Sequence, residues 1–388
     1  MSKISLKHSG GNVVSLNSPT NAPAAADVAF KLPNADGANG QAIVTDGSGN
    51  LSFSSVAATR NLIINGAMQV AQYGTSSTDD GYNTCDRFRY DKTGTDENPT
   101  QEQVDVASGT TPYTSGFRKA FKITNGNQTS GAGAADRVVI LHRVEAQDLA
   151  NSGWNYTSAS SYITLSYWVK SSVAQNFYVT LKTGDGTPQK YATETGSLTA
   201  DTWTKITKTI PGASNVQIDN DNGEGLEIEW SLFRGTDQTG SMSLNAWAAN
   251  NNSVRTPDQT STWYTTNDAT FEITGVQLEV GSVATDFEHL SYADELRLCC
   301  RYFQHLGRDD KLVYVTQTLG NYNPATFLVF PVEMRAAPTT TINQTTNNNG
   351  TISTSDLSPR NAAINIARSG SSAAFQQAEF DIQFSAEL

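Results

Sequence analysis

The chain has 388 residues, of which 37% are hydrophobic and only 16% charged; at ~100–200 residues per domain this length predicts two or three domains. Both fractions lie below ordinary globular usage, and Ser, Thr, Asn, Gln, Gly and Ala fill the difference, as suits β-sheets with polar outer faces. The net charge of −12 repels phosphate backbones and anionic lipid, which excludes nucleic acid as a general partner and disfavours a membrane surface.

Residues 1–58 contain no Trp, Tyr or Cys and only Phe30 and Phe53 as aromatics. Ser15 to Ala26 reads as extended linker. The turn cluster Asp46-Gly47-Ser48-Gly49-Asn50 between Ala42-Ile43-Val44 and Leu51-Ser52-Phe53 predicts a small hairpin. This stretch is too poor in apolar residues to bury a core alone. It is either disordered or ordered by other chains. The short apolar strands around Ile4 and Leu6, and around Val13, Val14 and Leu16, favour the second outcome, since disorder needs none of them.

Residues 59–291 hold all six tryptophans. Ile163, Leu165, Tyr167 and Val169 alternate with Thr164, Ser166 and Trp168. Phe177, Val179 and Leu181, and Leu226, Ile228, Trp230 and Leu232, alternate in the same way. A period of two predicts half-buried antiparallel strands. From Phe271 to Val280 the apolar phase shifts at Gly275, which predicts a bulge there. Turn signals such as Gly184-Asp185-Gly186 and Pro211-Gly212 punctuate the strands, so the fold class is mainly β, an antiparallel sandwich of jelly-roll type. A short helix is expected at Val144 to Ala150.

Residues 292–388 open with a helix. Ser291 and Asp294 resemble a capping box, Leu296, Cys299, Cys300 and Phe303 share one face, and Gly307 can end it. Strands are expected at Phe327 to Val332, at Ile364 and Ile366, and from Phe380 to Phe384, with Thr339 to Thr354 as a loop or exposed ribbon.

Three cysteines, two of them adjacent, build no disulfide framework; Cys299 and Cys300 are expected to pack rather than react. No signal peptide opens the chain and no run of ~18 apolar residues occurs, so synthesis and folding in a cytoplasm, without membrane insertion, are expected. The four histidines show no zinc-ligand spacing, and neither a nucleophile elbow nor a phosphate-cradling loop is present. No cofactor is called for. Asp219, Asp221 and Glu224 form a weak calcium candidate, because Gly223 breaks the EF-hand pattern. Trp247, Trp263 and Tyr264 lie in polar stretches and are candidates for stacking on sugar rings; plugging the ends of the core is the alternative.

Longer motifs carry a family resemblance. Arg60 to Gln72 (RNLIINGAMQVAQ) with Cys85-Asp86-Arg87-Phe88, Ser161 to Ser171, Ile273 to Ala284, and Ser291-Tyr292 leading to Cys300-Arg301-Tyr302-Phe303-Gln304 resemble a domain of bacteriophage tail-fibre proteins. Leu32-Pro33 and Thr45 to Phe53 resemble the stem segment of such fibres. Pro331 to Pro338 and Ser385 to Leu388 resemble their tip domains.

The resemblance implies a non-enzymatic virion protein: a carbohydrate-binding-module-like jelly roll on a stem, assembled as a homotrimer. Residues 1–58 would then attach to a tail or adaptor protein and trimerise, with Ile4, Leu6, Val13, Val14 and Leu16 as the attachment residues. Residues 59–291 would form the sandwich and 292–388 the distal tip, meeting a host-surface glycan or protein receptor. A head fibre or capsid decoration protein, a short polysaccharide depolymerase and a free sugar-binding protein are the rival readings.

Overall fold

The computed structural model describes residues 3–7, 10, 13–17, 31–33, 41–45, 50–55, 60–308, 311–317, 325–348, 350–368 and 375–388. The chain divides into two compact units, Met1–Arg60 and Asn61–Leu388. The sandwich and the segment after it lie in the second of these units.

The first unit contains two antiparallel hairpins. Strand β1 (Lys3–Lys7) pairs with β2 (Val13–Asn17), setting the backbone of Ile4 opposite Leu16 and of Leu6 opposite Val14. The side chains of these expected attachment residues lie outside the described residues. Strand β3 (Gln41–Thr45) pairs with β4 (Leu51–Ser55), as the turn chemistry predicts. A lone two-stranded hairpin is marginal in water. Ile43 and Val44 are 57% and 39% exposed, so this hairpin leaves apolar surface uncovered.

The second unit opens with a jelly-roll sandwich of two six-stranded sheets in which every pairing is antiparallel. In chain order the elements are β5 (Ser76–Ser77), β6 (Phe88–Thr93), β7 (Thr100–Asp105), α1 (Thr111–Thr114), β8 (Lys119–Thr124), β9 (Arg137–Glu145) and α2 (Ala146–Ala150). Next come β10 (Tyr162–Ser171), β11 (Asn176–Thr183), β12 (Gln189–Ser197), β13 (Thr204–Pro211), β14 (Glu224–Arg234), β15 (Trp247–Ala249), α3 (Thr262–Thr265) and β16 (Thr270–Val280). One sheet runs β13-β10-β16-β8-β7-β5 and the other β15-β12-β11-β14-β9-β6.

The alternation read from the sequence decides which face is inside. Ile163, Leu165, Tyr167 and Val169 enter the core with Leu226, Ile228, Trp230 and Leu232 from the opposite sheet. The phase shift in β16 is real: Phe271 and Ile273 are core residues, then Val276 and Leu278 are. The register slips between Ser166–Gln277 and Trp168–Thr274, so β16 carries one extra residue there. Gly275 takes φ +61°, and a Cβ on it would lie 2.5 Å from the Phe117 ring; glycine meets both conditions without strain. On the outer face of the second sheet, Lys182, Glu227 and Arg143 stand directly opposite one another across three strands and pair at 2.7–2.8 Å.

Helix α4 (Tyr292–Cys299) follows, and the Ser291 hydroxyl accepts from the Asp294 amide as the capping pattern predicts. It stops before Phe303, which opens β17 (Phe303–Leu306); Gly307 ends that strand and not the helix. The remaining strands are β18 (Leu312–Gln317), β19 (Ala325–Val329), β20 (Thr339–Asn348), β21 (Gly350–Ser355), β22 (Asn361–Arg368) and β23 (Phe375–Ser385). The stretch expected as a loop or exposed ribbon at Thr339 to Thr354 forms two strands. Most of β20 pairs along β23, and threonine's β-branched side chain suits that pleated surface, so tertiary pairing overrides a composition read as loop. Strand β23 is central, with β20 on one edge and β17 then β18 on the other. The sheet β19-β22-β21 completes a second, smaller core around Ile352, Ile364, Ile366, Phe380, Ile382 and Phe384.

A buried polar joint ties the sandwich to this C-terminal part. Asn65, at φ 61°, donates from its side chain to the carbonyls of Val70 (2.8 Å) and Asp86 (2.9 Å) and from its amide to Glu295. Gln72 donates twice to the Asp86 carboxylate at 2.6 Å and once to the Phe303 carbonyl at 3.0 Å. Arg87 pairs with Glu387 and lies 3.4 Å from the centroid of the Tyr302 ring. Arg301 grips Glu145 with two bonds of 2.7 and 2.8 Å. Burial pushes the Asp86 carboxyl up to about 7, against the pull of the Gln72 donors. Asn65, Gln72, Asp86, Arg87, Arg301, Tyr302, Phe303 and Glu387, all from the stretches that carry the family resemblance, thus meet in one place.

Candidate functional site

A cleft of about 480 Å³ opens on the outer face of the first sheet, within the ~300–1,000 Å³ range of small-ligand sites. Its floor is β10 and β13. Ser166 and Trp168 point outward because their neighbours in the alternation fill the core, and Trp168 stands directly opposite Lys205. Its walls are the turn after α1, with Ser115, Gly116 and Phe117, and the strap after β16, with Asp286, Phe287 and His289.

The strap is pinned by the polar face of β16. Glu279 accepts from the amide (2.8 Å) and hydroxyl (2.6 Å) of Thr285, and Gln277 accepts from the amide of Glu288 at 2.8 Å. Asn61 donates its amide to Glu288 at 2.7 Å. Across the cleft, the Phe287 ring meets Phe117 edge-on at 4.8 Å and His289 at 4.9 Å. His289 Nε2 donates to the Ser115 carbonyl at 3.0 Å, which fixes the proton on that nitrogen. Gly116, at φ +99°, leaves the room this ring needs, since a Cβ there would lie 2.9 Å from it.

Three side chains give the cleft its chemistry. Trp168 is half-buried and packs by one part against the outer apolar cluster that includes Phe117. Ser166 is 4% exposed and lines the cleft, yet its hydroxyl makes no hydrogen bond among the described residues. The oxygen itself is not sealed off, so a ligand or water in the cleft can complete it. Lys205 is exposed and has no ion pair among the described residues. An aromatic face flanked by hydroxyl and ammonium donors is suited to a ring that is apolar on its faces and polar at its rim.

The structure places the sequence candidates elsewhere. Trp263 and Tyr264 are fully buried at α3, so the expectation that their rings stack on sugar is corrected. The Trp263 indole donates to the Thr270 carbonyl at 3.1 Å, and the Tyr264 hydroxyl donates to Asp136 at 3.0 Å with its ring stacked on Phe233. Both complete the core. Trp247 on β15 is half-buried; its indole donates to the Pro211 carbonyl at 2.7 Å and its ring leans on Tyr191. The calcium grouping does not form. Glu224 pairs with Arg143 (2.8 Å) and Lys182 (3.3 Å), Asp221 caps the Gly223 amide, and the Asp219 amide donates to Asp185. Among the described residues no cluster of carboxylates, histidines and cysteines is set to hold a metal. Cys85 and Cys299 are buried, which pushes their thiols well up. The sequence signal for the actual cleft was Trp168, a large ring in the outward phase of an alternating strand.

No family model matches this sequence, and no curated protein matches it. Among solved structures, the chain is similar to one described as CBM4 structure and function, with 13% identity over 56% of this chain and 99% of that one and a TM-score of 0.30. It is similar to TmCBM61 in complex with β-1,4-galactotriose, with 9% identity over 58% of this chain and 100% of that one and a TM-score of 0.27. It is also similar to the enzymatically active domain of bacteriophage CBA120 tailspike protein 4, with 9% identity over 59% of this chain and a TM-score of 0.30; the match spans 22% of that chain's length.

Proposed function

We propose that this chain is a bacteriophage tail-fibre protein, a non-enzymatic virion component that binds host-surface saccharide in the Trp168 cleft. The observation that carries the saccharide reading is the outward Trp168 ring beside the Ser166 hydroxyl, which faces the cleft with no hydrogen-bond partner among the described residues. The fibre reading is supported by the motifs at 60–72, 85–88 and 385–388 and by the β3–β4 hairpin, which leaves Ile43 and Val44 exposed.

The working form is a homotrimer, mounted on a tail or adaptor protein through the segment that carries Ile4, Leu6, Val13, Val14 and Leu16. Exposed apolar side chains support assembly with sister chains. Val313 and Val315 on β18, and Phe327 and Val329 on β19, are 47–73% exposed. Each of these strands pairs on one side only among the described residues, and an apolar edge strand is a template for further pairing. Three clefts on one fibre would raise weak contacts to useful avidity.

The test is retention of the full chain on host-cell polysaccharide. Binding by the wild type, loss in Trp168→Ala with an intact fold, and no release of new reducing ends support the proposal. Release of reducing ends would make the protein a depolymerase. Antibody labelling at the head instead of the tail of intact particles would make it a head fibre.

A further inference from the structure

We infer that the cleft selects a carboxylate-bearing saccharide, such as one ending in a uronic or sialic acid, over a neutral one. This rests on the saccharide reading of the same site and adds its charge specificity. The charged groups around Trp168 are not equivalent. His289 spends Nε2 on the Ser115 carbonyl at 3.0 Å. Asp286 is already engaged within the protein. On the same outer face, Lys170 is held by Glu272 at 2.9 Å and lies over the Trp203 ring. Lys205 has none of these attachments among the described residues, and it stands in direct cross-strand register with Trp168.

Directly opposed residues of an antiparallel pair have Cβ atoms about 5 Å apart. A sugar ring stacked on Trp168 therefore brings its rim substituents within reach of the Lys205 ammonium. Ser166, two residues along the same face of β10, flanks the ring with a hydroxyl that has no partner among the described residues. A carboxylate on the ring would accept from Lys205, while a ring hydroxyl completes Ser166. In a chain of net charge −12, a cation without an ion pair among the described residues, beside an aromatic ring, is a local exception to a field that otherwise repels anions, although Asp286 shares the lining. A charge-assisted hydrogen bond is roughly twice as strong as a neutral one.

The experiment uses the full chain on a glycan array of matched neutral and carboxylate-bearing oligosaccharides, followed by titration of the best pair. The carboxylate-bearing member should bind about tenfold tighter at low salt, with the advantage shrinking as salt rises. Lys205→Met should remove that advantage, so that the two members bind equally, with the melting temperature unchanged. Equal affinity for both members, preference for the neutral one, or a carboxylate preference that survives Lys205→Met overturns this inference and leaves the saccharide reading standing. Absence of binding to every glycan overturns both.

Discussion

Arg87 and Glu387 lie 300 positions apart in the chain and form a buried ion pair, with the guanidinium also stacked on Tyr302 and donating to the Arg143 carbonyl at 2.6 Å. Arg87 is 1% exposed and Glu387 is 7% exposed at the side chain. The pair sits where the sandwich, α4 and the last residues meet, so it couples two hydrophobic cores. Removing one partner strands the other charge. Arg87→Met should cost about 3–5 kcal/mol, read as a lower denaturation midpoint with both cores melting earlier. The double change Arg87→Met with Glu387→Leu should recover part of that loss.

Trp263 and Trp168 separate packing from recognition. Trp263→Ala removes a fully buried ring and should cost about 3–5 kcal/mol. Its folded fraction should still bind saccharide. Trp168→Ala should abolish saccharide binding while shifting the melting temperature little, since the ring is only half-buried. A large stability loss in Trp168→Ala with unchanged binding would make it a packing residue.

Asp86 sets a pH dependence. Its folded carboxyl is raised from 3.8 to about 7 by burial, so between these values the folded state holds a proton that the unfolded state releases. Stability from this group is fully present below pH ~4 and is lost as pH rises through about 7, with a slope of at most about 1.4 kcal/mol per pH unit. Asp86→Asn should flatten that part of the stability profile. Denaturant melts of both proteins at pH 4 to 8 measure it.

Gly275→Ala tests the bulge. The new Cβ would lie 2.5 Å from Phe117 on a backbone at φ +61°. A cost of about 1–3 kcal/mol is expected from strain, together with weaker saccharide binding as Phe117 shifts in the cleft wall. A Gly275→Ala protein with wild-type stability and affinity would contradict this account of the bulge.

Assembly is the last expectation. Light scattering should give three times the chain mass at micromolar concentration. Phe327→Asp with Val313→Asp should weaken the trimer without unfolding the smaller core, because both side chains point outward. Deleting residues 1–60 should leave the thermal transition of 61–388 in place, as these are separate compact units.

Much of the sandwich was legible because alternation is a local signal: Ile163 to Val169 and Leu226 to Leu232 face inward as their period requires. The bulge was legible too, since a slip of one residue shows as a change of phase around Gly275. Helix α4 was legible from its cap but overextended to Phe303, because an apolar residue at helical spacing also fits the first position of β17. The strands at Thr339 to Ser355 were hidden by composition; only their pairing with β23 and β22 reveals them. Candidate site residues were the least legible. Trp263 lies in a polar stretch yet turns into the core, while the cleft joins α1, β10, β13 and the strap, segments up to 174 residues apart.

The walls of the cleft and its floor answer to different constraints. Its floor is sheet, and every second residue there also holds up the core, so it tolerates little change. The walls are connections pinned mainly through main-chain bonds, at Thr285, Glu288 and the Ser115 carbonyl. Apart from the buried Phe117 and the pinning ring of His289, side chains on those connections can therefore be exchanged with small effect on folding. Ligand preference is thus open to change at a few wall positions while the sheet that carries them stays as it is.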